Sequence, residues 1–199
     1  MIPTKSGMAL LSCLPLIFGL GCGGFGKVSQ GRVIEFDRGK GLVTLIQDSN
    51  YRVPGNPKYD VLPPVTVRIP VNPKEMGSAP EAGKRMLLDT ENHKIVFYEA
   101  ATRSFRTVHF TLIERHTEVF RDDLRVAGIR FPVVKREKKS VTLYSARLRE
   151  LVIFSVADEY MGLPEDTWKA GDEVRWYYKD SGQALRLMNI TKTDISSGK

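Results

Sequence analysis

Cysteine is scarce in this chain. Cys13 and Cys22 are the two it has, both near the start. No disulfide can staple the rest of the chain, and no thiol nucleophile or zinc-type cysteine spacing is available there. The fold must rest on its core. Histidine is almost as rare, with His93, His109 and His116. His109 and His116 stand an odd number of positions apart, which on a straight strand sends them to opposite faces and against a shared metal site. His93 falls in a turn-like stretch. Long apolar runs are missing too: the one from Met8 to Leu20 is shorter than the about 20 residues a membrane-crossing helix needs. There is no glycine-rich phosphate loop. The carboxylate pairs Asp122-Asp123 and Glu165-Asp166 lie in loop-like segments, where solvated charge is the ordinary explanation. No residue is put forward as catalytic or as a metal ligand, no cofactor is expected, and an enzyme is not the favoured reading. Met76, Met86, Met161 and Met188 are read as core packing.

The short apolar run has a meaning of its own. Lys5, then Met8 to Leu20, then Gly21-Cys22-Gly23 has the layout of a secretion signal of the bacterial lipoprotein type, residues 1–21 being cleaved and Cys22 lipidated. Of the small residues expected before the cysteine only Gly21 fits, Gly19 and Leu20 departing from the pattern. Cys13 follows the better-matching Leu10-Leu11-Ser12 but has too little apolar chain before it. The alternative is an ordinary signal peptide cut nearby. Gly23 in place of Asp after Cys22 points to the outer membrane, facing the periplasm, with the inner membrane as the alternative.

The charge is lopsided toward basic, with Lys+Arg 30 against Asp+Glu 23 and a net +7. An excess of this kind suits an anionic partner. For an exported chain that means lipid headgroups, an anionic glycan or an acidic envelope protein, and export argues against nucleic acid.

Beyond Gly26 the pattern reads as strand. Val28–Phe36 leads through the turn Asp37–Gly41 into Leu42–Ile46, and Val65–Val71, Arg85–Leu88 and Lys94–Tyr98 come next. Asn72 to Gly77 reads as a helical turn with Pro73 at its first position. The same order then recurs. Ser140-Val141-Thr142-Leu143-Tyr144 echoes Leu42-Val43-Thr44-Leu45-Ile46, Leu151–Val156 echoes Val67–Val71, and Lys169-Ala170-Gly171-Asp172-Glu173-Val174 echoes Glu81-Ala82-Gly83-Lys84-Arg85-Met86. This is a tandem repeat whose copies differ mainly in loop length. Five strands with a helical turn between the third and fourth is the order of an oligonucleotide/oligosaccharide-binding (OB) barrel. The expected fold is therefore all-β: two tandem OB-like barrels at 27–113 and 131–195, joined by a charged connector at 114–130. Gly83 and Gly171 precede the fourth strand of each copy, where a tight turn would use glycine's freedom. Phe105–Ile113 reads as one additional strand.

Two resemblances arise from these residues. Gln30–Asp37, Pro80–Met86, Phe154–Leu163 and Met188–Ile195 resemble a lipoprotein family of sulfate-reducing bacteria that carries a domain of unknown function. Each half also resembles, through its Val-Thr-Leu strand and the Gly-Asp-x-Val of the second copy, the small periplasmic copper/silver chaperone of the Cus efflux system. That resemblance implies an OB-like barrel. It does not imply the metal site, because Thr44–Val71 and Thr142–Val156 hold none of the His, Met or Trp ligands that site uses.

Binding is the favoured activity class. The long loop from Asn50 to Tyr59 offers Tyr51, Arg52 and Tyr59; the second copy offers Tyr144, Arg147 and Arg149, with Arg175 and Tyr177 on its last hairpin. Aromatic and basic side chains together suit sugars, phosphates or an acidic peptide. The reading is an anchored, non-catalytic binding or scaffold protein of the cell envelope, with a periplasmic copper-type metal module or an envelope hydrolase as the alternatives.

Overall fold

The computed structural model describes residues 25–53 and 55–193, so the expected signal segment 1–21 and the expected lipidation site Cys22 lie outside the described residues. The described chain is all-β, in three antiparallel sheets. Strands β1 (Lys27–Asp37), β2 (Leu42–Asp48) and β3 (Tyr59–Arg68) come first, then β4 (Arg85–Asp89), β5 (Lys94–Glu99), β6 (Ser104–His109) and β7 (Thr111–His116). After these come β8 (Val133–Lys135), β9 (Ser140–Ser145), β10 (Glu150–Ser155), β11 (Glu173–Tyr178) and β12 (Arg186–Asn189), with one short helix, α1 (Asp158–Met161), between β10 and β11.

Local chemistry sets the turns at the positions their residues predict. Asp37 accepts the amide of Lys40 at 2.9 Å, and Gly41 supplies a positive φ of 63°, a conformation that costs glycine little. In the β4–β5 turn Asp89 accepts the amides of Asn92 and Glu91. Asn72 caps the 3-10 turn Pro73–Glu75 through the amide of Lys74.

The sheets are shared between the repeats in an unexpected way. The five-stranded sheet runs β12-β11-β1-β2-β3, so the last hairpin of the second copy completes the first. Conversely, Ile95, Phe97 and Val108 of β5 and β6 pack with Val141, Leu143, Val152 and Phe154 of β9 and β10, around the fully buried Trp168. The expected partition into self-contained domains at 27–113 and 131–195 is thus corrected by an exchange of packing: β11–β12 joins the first sheet, while β4–β5, paired with β6 in a sheet of its own, packs against β9 and β10 and also against Ile34 and Ile46. Closed barrels are not formed either. Among the described residues β3 meets the segment before β12 through one parallel bridge, Arg68 with Gln183.

The exchange passes through Gly83 and Gly171, and here too the expectation is corrected. Neither glycine needs a positive φ; both are needed because two backbones touch. A Cβ on Gly171 would lie 1.8 Å from the Val33 carbonyl oxygen, and one on Gly83 would lie 2.4 Å from that of Lys169. The amide of Gly83 donates to the Val33 carbonyl at 3.1 Å, and the amide of Val33 donates to Asp172.

Three smaller expectations are corrected as well. Phe105–Ile113 is two strands, because the chain bends at Phe110, whose amide bonds to His93, and passes from one sheet to the next. The connector 114–130 begins as strand β7 and buries Val119 and Val126 against Leu151. Met188 is 44% exposed and is not core.

Candidate functional site

Alternation along β1 puts Val28, Gln30 and Arg32 on one face of the five-stranded sheet. Directly opposite on β11 stand Tyr177, Arg175 and Glu173, and across β12 stand Arg186 and Met188. One face therefore reads in three zones. At one end Ile34 and Ile46 are covered by Met86 and Tyr98 of the neighbouring hairpin. In the middle is a polar cluster. At the other end the face is open.

The polar cluster centres on Gln30. Its amide nitrogen donates to Asp48 at 3.2 Å and to Glu173, while its carbonyl oxygen accepts from the Arg175 guanidinium at 2.8 and 3.2 Å. Arg147, on the β9–β10 turn, donates to Glu173 at 3.4 Å. Asp48 also accepts the amides of Asn50 and Lys58. Beneath them the Arg32 guanidinium lies 4.0 Å over the Tyr59 ring and donates to the carbonyls of Met86 and Arg85. Burial pulls the Arg32 guanidinium below its ordinary value, and burial together with the nearby Glu173 charge raises the Tyr59 hydroxyl. Burial, together with the nearby Arg32 charge, brings Arg85 down to about 9. Removing a charge from water costs more than most surface pairs return. The carbonyls, the aromatic face and the Gln30 bridge offset that cost here. The cluster fastens the β9–β10 turn to the first sheet and braces the β2–β3 hairpin within it.

The open zone is a groove of about 630 Å³ lined by the apolar Val28, Leu185 and Met188, by Tyr177, and by Arg175, Arg186 and Glu75. Val28, Leu185 and Met188 are each more than two-fifths exposed. Arg186 pairs with Glu75, which holds that carboxyl below its usual range. The chain enters beside this groove: the Gly26 backbone lies so close to the Tyr177 ring that a Cβ would sit 2.1 Å from it, and Phe25 is wholly exposed.

Of the sequence-predicted residues, Arg175 and Tyr177 stand at this groove, and Arg147, Arg175 and Tyr59 converge on the polar cluster. Tyr59 is not in an exposed loop; it opens β3 and is buried. Tyr144 and Arg149 are not displayed for a ligand. The Tyr144 hydroxyl donates to the Val119 carbonyl at 3.0 Å, and the Arg149 guanidinium covers Phe120 at 4.5 Å, so both pin the connector. Tyr51 and Arg52 stack on each other at the tip of the β2–β3 hairpin. Gln30, Arg32, Asp48 and Glu173 are members that sequence reasoning misses; polar side chains at alternate positions of an otherwise apolar strand pattern are the available signal. A smaller hollow of about 330 Å³ lies between His116, Arg125, Phe131 and Lys135 on the second sheet. Among the described residues no His, Cys, Asp and Glu side chains gather as a metal site, and no helix is long and apolar enough to cross a membrane.

A family model described as a domain of unknown function, DUF4881, matches residues 24–197. No curated protein and no solved structure matches the chain.

Proposed function

We propose a binding role at the bacterial cell envelope for this chain, which belongs to the DUF4881 family of domains of unknown function. In this reading residues 1–21 direct export and are removed. Cys22 takes up lipid and the folded body stands on the periplasmic side of the outer membrane. The body acts as a non-catalytic binding or scaffold module for an anionic partner: a lipid, a glycan or an acidic envelope protein.

The observation that carries the reading is the open groove beside Gly26. Its apolar side chains interspersed with Arg175 and Arg186 are suited to amphipathic, negatively charged partners, and it lies beside the start of the folded body. The polar cluster favours a structural over a catalytic use of its charges, since Gln30 ties Asp48 and Glu173 together, while Arg175 bonds the neutral Gln30 carbonyl oxygen and stays exposed on its open side.

Growth with a radiolabelled fatty acid tests the anchor. The wild-type chain should take up label, and Cys22→Ser should take up none. An unlabelled wild type would replace the anchored module with a free periplasmic protein.

A further inference from the structure

We infer that the groove between β1, β11 and β12 is a membrane-seating surface, occupied by the headgroup and upper acyl region of an anionic phospholipid bilayer. The inference rests on the anchored reading above and names the partner of the same site.

The first argument is continuity with the chain end. Cys22 precedes Gly26 by four residues, which even fully extended span no more than about 14 Å. Gly26 itself lies against Tyr177 at the mouth of the groove. A lipid on Cys22 would therefore hold this end of the sheet within a short distance of the bilayer, and the exposed Phe25 would be the first side chain to meet it.

The second argument is composition. Val28, Leu185 and Met188 are apolar side chains standing in water, beside Tyr177, whose ring and hydroxyl suit the boundary between hydrocarbon and headgroups. Arg175 and Arg186 line the groove, and the exposed Lys179 directly follows the end of β11. The acidic member, Glu75, is already paired with Arg186. Apolar area interspersed with basic side chains is the kind of surface that binds anionic membrane interfaces. Acyl chains in combination with such a surface fix orientation as well as location.

The test uses the mature chain with Met188→Cys carrying an environment-sensitive fluorophore. Cleavage removes Cys13 and acylation blocks Cys22, and a chain found without acyl groups is remade with Cys22→Ser, so the new thiol is the single reactive one in either form. The protein is placed in vesicles of phosphatidylethanolamine and phosphatidylglycerol, 3:1, containing brominated lipid. Mass spectrometry of the same preparation shows whether Cys22 is acylated; a chain without acyl groups is mixed with preformed vesicles of the same composition.

The expected result is quenching of the probe by about twofold or more, weakened in phosphatidylcholine vesicles and at high salt, where surface charge is screened. Leu185→Cys should repeat the result should position 188 disturb the groove. Quenching without acylation keeps the seating surface and removes the anchor. Acylation with an unquenched probe at both positions keeps the anchor and overturns the seating surface. Protection of the probe only on adding an envelope-protein extract, or disulfide-linked dimers through position 188, would assign the groove to a protein partner or a second copy and likewise overturn it.

Discussion

Gly171 has no room for a methyl group. Its Cβ would fall 1.8 Å from a backbone oxygen that is itself hydrogen-bonded, so the strand would have to shift. Gly171→Ala should lower the unfolding free energy by about 3 kcal/mol or more. Gly162→Ala, facing open space, should stay within about 0.5 kcal/mol of wild type. Denaturant titration of the two variants checks the contrast, and equal losses would refute the crossing. Glu81, whose carboxylate takes both Lys169 and Lys192, sits beside the same crossing. The two ammonium groups hold its pKa down at about 2 against an ordinary 4.5. A depressed carboxyl contributes stability that is full above its unfolded pKa and fades as pH falls through the folded one. Glu81→Gln should therefore destabilise most at neutral pH, and the difference from wild type should shrink between about pH 4.5 and 2. The carboxylate is half exposed, so the effect should be at most about 1 kcal/mol. Thermal melts at pH 7 and pH 3 would read it.

At the level of strands and hairpins, the sequence carried the elements better than their partners. β2 and β9 are legible because β-branched and leucine residues alternate across one buried face, and Asp37, Gly41 and Asp89 announce their turns. β3 is less so: prolines at 57, 63 and 64 break the pattern that would have extended it back to Tyr59. The bend at Phe110 is invisible in a run of strand formers, because it depends on the backbone of His93. The exchange of hairpins is hidden for a deeper reason. Both hairpins show the same alternation, and either could complete either repeat, so periodicity cannot choose between them. The candidate site inherits this. Arg175 and Tyr177 could be placed on the outer face of one hairpin, but Gln30, Arg32 and Glu173 acquire their roles once β1 lies beside β11.

Across the whole molecule, the exchange makes the two repeats one cooperative unit. Calorimetry should show a single transition whose van't Hoff and calorimetric enthalpies agree; two resolved transitions would contradict the shared sheets. Residues 25–110 and 111–193, cut where β6 ends and β7 begins, should stay unfolded when produced separately and gain sheet structure on mixing, detected by circular dichroism. The geometry also imposes a schedule. Gln30 finds Glu173 across 143 positions of chain, and synthesis delivers residues N-terminus first. β1 is made early, yet its neighbour β11 arrives near the end, so the first sheet has one bare edge for almost the entire time the polypeptide is being produced. A chain that cannot close early is slow to fold and stays threadable, the state in which a polypeptide passes through a narrow channel. Tying its first strand to its last hairpin postpones completion of the first sheet until synthesis is nearly over, a schedule that suits the export proposed above.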